Sequence, residues 1–191
     1  MQPYHIVAII PARGNSKRLP RKNIVNLWGQ PMLSWAIKAC KETSYAVQPY
    51  VSSEDDEILH VAKSYGADIH KRDASLSEDN VFKQDVIRVA AKYVAEQSGH
   101  KPDIIISLQA NSPQIRPWHI DNAIHILQQY NRDEIFSVDN NLMQNAAFRV
   151  MRYDYVFQRD LSTNCGVFIC DLLDVHTQED IDKLETLGRY K

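Results

Sequence analysis

Arg13, Lys17, Arg18, Arg21 and Lys22 put five cations within ten residues. They follow Ile6-Val-Ala-Ile-Ile10, five apolar residues without polar alternation, which is the pattern of a fully buried strand. Pro11 and Gly14 then break that pattern, and the cationic stretch carries no apolar period. A buried strand that empties into a small-residue, cationic loop is suited to cradling phosphates. Backbone N–H groups and fixed charges there face the anion together. The spacing matches neither G-x-x-x-x-G-K-[ST] nor G-x-G-x-x-G. From charge alone, a solvated basic loop accounts for the run equally well.

The elements that must position this loop follow from periodicity. Gln30-Pro31 opens a helix whose apolar stripe runs through Met32, Leu33, Trp35, Ala36, Ile37, Ala39 and Cys40. Residues 48–52 form a short strand. Ser53 is expected to cap a second helix, with Asp55 and Asp56 in its first turn. Ile58, Leu59, Val61, Ala62 and Tyr65 are its buried face, and Gly66 ends it. Residues 67–71 are another short strand. A polar loop over 72–80 leads to a long helix with Val81, Phe82, Val86, Val89, Ala90, Tyr93 and Val94 at helical spacing.

Residues 103–108 form a second buried strand, which also empties into a polar turn, Gln109-Ala-Asn-Ser-Pro113. Gln109 and Asn111 are natural turn formers before Pro113. Pro117-Trp118 starts a further helix. Strands follow at 134–138, 148–153 and 166–170. Thr177-Gln-Glu-Asp180 resembles a capping box opening a last helix. Buried strands alternating with amphipathic helices predict an α/β fold with a mainly parallel sheet. Ligands bind beyond the carboxyl ends of such strands, so the loops after Ile10 and Leu108 should share one rim.

A chain of 191 residues favours a single domain over 1–191. Apolar content of 44% and charged content of 24% are ordinary for a globular protein. A formal net charge of −2 gives no general electrostatic case for nucleic acid or an anionic membrane. No apolar run approaches the roughly 18 residues needed to span a bilayer. Met1-Gln-Pro-Tyr-His5 lacks the regions of a signal peptide. Cys40, Cys165 and Cys170 form no C-x-x-C pair, which fits reduced thiols in a cytoplasm. His5, His60, His70, His100, His119 and His125 show no ligand spacing on a common helix face.

Pro-Ala-Arg-Gly-Asn-Ser-Lys-Arg-Leu-Pro-Arg-Lys-Asn, residues 11–23, resembles the signature loop of the sugar-acid cytidylyltransferases, P-A-R-G-G-S-K-G-[IL]-P-x-K-N. Asn15 and Arg18 stand where that pattern has glycines. The segment from Val51, V-S-S-E-D-D-E-I, is similar to the family's V-S-T-D-D-E-E-I, although its acids also suit a helix N-terminus. The segment from His70 resembles x-x-R-P-x-x-L-x-x-D, and residues 108–113 resemble L-Q-P-T-S-P. Asp174-Val-His-Thr-Gln-Glu-Asp180 resembles D-I-D-T-x-x-D, with His176 in place of the second acid.

The resemblance implies a Rossmann-like nucleotidyltransferase fold with helices on both sheet faces. It also implies transfer of CMP from CTP to a keto-sugar acid of the sialic-acid kind, for surface glycan synthesis such as lipopolysaccharide or capsule. It assigns Arg13, Lys17 and Lys22 to catalysis on the phosphates. Ala12, Arg13, Gly14, Lys17, Asn23 and Arg72 would bind the nucleotide, and Gln109, Asn111 and Ser112 the acceptor. Asp174, with or without His176, would hold Mg²⁺, or Mn²⁺ or another divalent metal if the imidazole ligates. A homodimer is expected. The stretch over 166–174 is shorter than the resemblance implies, so the acceptor-side wall is reduced or comes from another chain. Two alternatives stay open: a non-sugar phosphate or phosphonate acceptor, and a nucleotide-binding homologue with reduced turnover.

Overall fold

The computed structural model describes residues 4–160 and 162–189. Met1, Gln2 and Pro3 of the N-terminal stretch lie outside the described residues. Strand β1, Ile6–Pro11, takes the centre of the molecule because its apolar run leaves no polar face for solvent. It pairs in parallel with β4, Val47–Ser53, on one side and with β6, Ile104–Leu108, on the other. Strand β5, Asp68–Lys71, extends the first side. Beyond β6 come β8, Gln144–Arg152, then β7, Glu134–Val138, then β9, Cys165–Ile169. The seven-stranded order is β5-β4-β1-β6-β8-β7-β9, parallel throughout except for the two pairings made by β8.

The pleat of β1 sends alternate side chains to two cores. Ile6, Ala8 and Ile10 join helices α1, Met32–Lys41, α2, Asp56–Ser64, and α4, Pro117–Gln129, on one face. Val7 and Ile9 join α3, Lys83–Ser98, on the other. Helices thus cover both faces, as expected. A last helix, α5, Gln178–Leu187, packs Ile181 and Leu184 on Leu19, Leu27 and Met32. It thereby ties the C-terminal segment to the loop after β1. No helix among the described residues is long and apolar enough to cross a membrane.

Local details differ from the expected ones. The cap of α2 is Asp55, which accepts from the Ile58 N–H at 3.0 Å, because β4 runs on through Ser53. Helix α3 begins at Lys83 and buries Val86, Ile87, Ala90, Ala91 and Val94. Phe82 precedes it and is 77% exposed, and Val89 also faces outward. A small hairpin of β2, Asn26–Leu27, and β3, Gln30–Pro31, was not expected. Its two-residue turn has positive φ at Trp28 and Gly29, the latter available because glycine has no Cβ. Thr177 and Asp180 do form the expected reciprocal cap of α5.

His119 has a structural role in α4. Its Nδ1 accepts the Arg116 backbone N–H at 2.9 Å, which only a neutral ring can do. Burial, with the Arg116 charge, pushes its pKa down to about 4. The unfolded ring titrates near 6.5, so the unfolded chain binds more protons between those values. Stability is therefore complete above about pH 6.5, falls as pH drops, and has lost roughly 3 kcal/mol by pH 4. Urea unfolding at pH 7 and pH 4.5 checks this. His119→Asn should remove most of that pH-dependent difference, and an unchanged difference would refute the assignment.

Candidate active site

The loops after β1 and β6 do share a rim, at the point where strand order reverses. A cleft of about 460 Å³ opens there. Residues from four segments line it: the loop after β1, the stretch from Arg72 into α3, the turn after β6, and His176.

The five loop cations sort into two groups. Arg13, Lys17, Arg18 and Lys22 line the cleft. Arg21 instead turns toward the start of α2, where its guanidinium binds Asp55 and Glu57. Arg13 and Lys17 share one carboxylate, that of Asp79, with Arg13 at 2.9 Å. The pair is thus close enough to hold a single anionic group between them. Arg18 donates to His176 Nδ1 at 3.2 Å. Lys22 is half-buried and has no carboxylate partner among the described residues. Burial, together with the Arg18 and Arg13 charges, lowers its pKa. A group charged against that cost is stabilised when an anion arrives.

Beneath these cations the loop is fixed by polar contacts. Asn23 is buried and donates to the Arg13 carbonyl at 2.9 Å, while its edge still lines the cleft. Ala12 is buried, and its N–H donates to Ser52 O at 3.0 Å, continuing the β1–β4 ladder. Gly14 donates its N–H to Glu54 at 2.7 Å. A Cβ at Gly14 would collide with the Asp55 side chain, meeting its Cβ at 2.9 Å, so the loop reaches this position only without a side chain. Glu54 is therefore more than a helix N-terminal charge. It binds the loop after β1 on one side and Arg72 on the other.

Arg72 lines the floor of the cleft with a side chain 3% exposed. Its Nη1 donates to Ser52 O at 3.0 Å, and its Nε to Ser77 Oγ at 3.0 Å. Its Nη2 donates to Glu54 at 3.0 Å and to Ser77 Oγ at 2.8 Å. With these bonds in place, the guanidinium positions the 72–80 loop that carries Asp79.

The turn after β6 meets the C-terminal segment. Asn111 Nδ2 donates to Val175 O at 2.9 Å, and Val175 N donates back to Asn111 O at 2.9 Å. Ser112 is fully buried and donates its hydroxyl to Asp174 Oδ1. Gln109 and Asn111 line the cleft, whereas Ser112 acts on it through Asp174. The His176 N–H donates to Asp180 at 2.8 Å. Since Arg18 can only donate, His176 Nδ1 accepts and the other ring nitrogen carries the proton. Burial and the Lys22 and Arg18 charges hold this ring neutral by lowering its pKa. In that state His176 serves as a metal ligand only on releasing Arg18. No cluster of three or more His, Cys, Asp or Glu able to hold a metal occurs among the described residues. Asp174 offers a single hard oxygen site of the kind Mg²⁺ uses together with waters and substrate phosphates.

Two cleft groups carried no signal in the local sequence, and a third, Asp79, closes the segment matched from His70 without a partner being legible. Ser77 sits in a polar loop where any serine fits. Lys83 falls in the first turn of a helix, where a lysine reads as solvated surface.

Comparison with known proteins bears on this arrangement. The N-acylneuraminate cytidylyltransferase A of Danio rerio is 37% identical over 134 residues, 70% of this chain and 30% of that enzyme. The pseudaminic acid cytidylyltransferase of Campylobacter jejuni is 30% identical over 171 residues, 86% of this chain and 67% of that enzyme. The chain covers about 30% of the length of the fish relatives it matches. In three dimensions it superposes on a CMP-2-keto-3-deoxy-manno-octonic acid synthetase solved with CTP. The TM-score is 0.78 at 16% identity, over 95% of this chain and 97% of that one. Rv0371c of Mycobacterium tuberculosis, solved with manganese, gives 0.71 at 14% identity, over 96% of this chain and 100% of that one. At these identities the structural likeness is one of fold. The profile of the family described as cytidylyltransferase matches residues 7–162, and the chain belongs to that family.

Proposed function

We propose that this protein transfers CMP from CTP to a keto-sugar acid with release of pyrophosphate. The observation that carries the proposal is the convergence of Arg13, Lys17, Arg18 and Lys22 on one cleft with Asp174 nearby. Such a transfer depends on positioning and charge neutralisation more than on covalent catalysis. Arg13 and Lys17 would exchange their shared Asp79 carboxylate for the outer phosphates. Lys22, deeper in the cleft, would face the α-phosphate. The acceptor hydroxyl attacks the α-phosphorus, so a new P–O bond forms and the bond to the β-phosphate breaks. Pyrophosphate leaves with that electron pair, and the hydroxyl proton passes to water.

Asp174, oriented by Ser112, would hold a divalent metal, with Mg²⁺ suited to its oxygen. When bound, such an ion neutralises phosphate oxygens. Gln109 and the exposed edge of Asn111 would meet the acceptor. The names of the relatives support a nine- or eight-carbon keto acid, since they act on N-acylneuraminate, pseudaminic acid and 3-deoxy-manno-octulosonate.

The test is pyrophosphate release from CTP with a panel of acceptors, read beside thermal shifts. CTP should raise the melting temperature more than ATP or GTP at equal concentration, because preferential binding stabilises the folded state. Release is expected with N-acetylneuraminate, pseudaminic acid or 3-deoxy-manno-octulosonate. Release only with phosphate esters or phosphonates would select a different acceptor class. No release with any acceptor, beside an intact CTP shift, would make the protein a nucleotide binder without turnover.

A further inference from the structure

Most cleft cations already have partners. Arg13 and Lys17 hold Asp79, Arg18 holds His176, and Arg72 holds Glu54. Arg18, Lys22 and Lys83 have no ion-pair partner among the described residues, since the Arg18 contact is with a neutral imidazole. Arg18 and Lys22 belong to the phosphate loop. Lys83 stands on a different wall, at the first residue of α3, where that helix meets β8. Its Nζ reaches only the Ala146 carbonyl, at 3.5 Å, which is a marginal hydrogen bond.

A second cation backs Lys83. Arg149, on β8, binds Glu134, and its Nη1 donates at 2.6 Å to Gln84, the neighbour of Lys83. The charge of Arg149 is therefore neutralised by Glu134, while that of Lys83 is not. Burial and the Arg149 charge together lower the Lys83 pKa. Asp174 favours the charged form of Lys83, as it does for Lys22. Lys22 and Lys83 line the same cleft, and the charge of Asp174 acts on both. A half-buried ammonium without a carboxylate, beside a second cation and opening on a cleft, is a site for an anion.

We propose that Lys83 binds the carboxylate of the acceptor. The proposal rests on the CMP-transfer reading and adds an acceptor subsite to it. In the ring form of a keto-sugar acid, the attacking hydroxyl and the carboxylate are bonded to the same carbon. Wherever the hydroxyl meets the α-phosphorus, the carboxylate must lie beside it. The phosphates are placed against Lys22 and Asp174. The cation for the carboxylate must then line the same cleft as Lys22 but lie outside the phosphate loop, and Lys83 meets both conditions. Charge–charge contact at this point also separates acids from neutral sugars that carry a similar hydroxyl.

The experiment is calorimetric titration of protein loaded with an α,β-methylene analogue of CTP, which prevents turnover. Its ligands are N-acetylneuraminate, pseudaminic acid, 3-deoxy-manno-octulosonate and the carboxamide of each, tested on wild type, Lys83→Gln and Lys83→Arg. Lys83→Gln is expected to weaken the acid at least tenfold and leave the nucleotide within twofold. It should bind acid and carboxamide alike, and Lys83→Arg should recover most of the preference for the acid. Equal binding of the acid by wild type and Lys83→Gln overturns the proposal. Equal weakening of acid and nucleotide also overturns it, because Lys83 would then serve the phosphates. If wild type binds none of the three acids but binds phosphonoacetate, the sugar-acid reading has failed. Lys83 then stands only if Lys83→Gln weakens phosphonoacetate tenfold. No binding of any of these anions to wild type overturns the subsite.

Discussion

Lys22→Met is expected to lower kcat by about a hundred- to a thousand-fold while the melting temperature stays level or rises. The two halves of this expectation have one cause. Folding places the Lys22 ammonium in a half-buried cleft beside Arg18 and Arg13 without a neutralising partner. Its charge therefore weakens the folded state, and removing it relieves that cost. The same unpaired charge is most valuable as negative charge builds on the α-phosphate and its departing oxygen, because no partner must first be displaced. Lys17 is different. Its side chain is 72% exposed and already pairs with Asp79, so Lys17→Ala should cost less turnover than Lys22→Met. Steady-state pyrophosphate release and thermal unfolding on the three proteins check this. A Lys22→Met protein that keeps most of its turnover, or loses more than Lys17→Ala only by unfolding, sinks the assignment.

The parts of the site that were legible in the sequence are those built from contiguous residues. The run from Ile6 to Ile10 is too short for a helix and is closed by Pro11, so it reads as a buried strand, and the cations after it then fall in its C-terminal loop. The polar turn after Leu108 follows by the same argument, and the sheet order brings the two together. Thr177 and Asp180 were legible because a reciprocal cap lies within one helical turn. What stayed hidden depends on residues distant along the chain. Within Ser52-Ser-Glu-Asp-Asp, any acid suits a helix N-terminus, and only the fold brings Gly14 and Arg72 to Glu54. Arg21 looks like its four neighbours until a positive φ turns it toward Asp55. The antiparallel β8 gave no warning either. Its buried stretch has the same composition as a parallel strand, and direction is set by the connection, which composition does not record. Trp28 concealed the hairpin because a bulky residue at positive φ is rare in turns.

Arg72→Ala is expected to cost about 3–5 kcal/mol of stability, and so lower the melting temperature by roughly 10 °C. The resemblance assigns this arginine to the nucleotide, but its position predicts a different primary loss. The Arg72 side chain is 3% exposed and that of Glu54 17%, so the pair is shielded from water. Removing Arg72 leaves the half-buried Glu54 carboxylate without its cation and the buried Ser52 carbonyl without this donor. Burial alone would push the Glu54 carboxyl up. The Ser77 hydroxyl, the Gly14 N–H and the Arg72 charge together hold it below its usual value. A carboxyl depressed on folding adds stability above its unfolded pKa, and that stability is lost as pH falls through the folded one. In Arg72→Ala, Glu54 should titrate higher, so acid unfolding should begin at higher pH. Arg72→Lys should recover only part of the loss, since one ammonium cannot reproduce the fork that reaches Ser52, Glu54 and Ser77. The double variant Arg72→Met, Glu54→Gln should be more stable than Arg72→Ala, because no unpaired charge is left buried. It should still turn over slowly if Glu54 and Arg72 hold the Gly14 loop and the Asp79 loop in register. Urea unfolding at pH 7 and pH 5, with CTP titration on the same four proteins, decides between the roles. An Arg72→Ala protein that melts like wild type and has lost only CTP affinity would show that Arg72 serves the nucleotide directly.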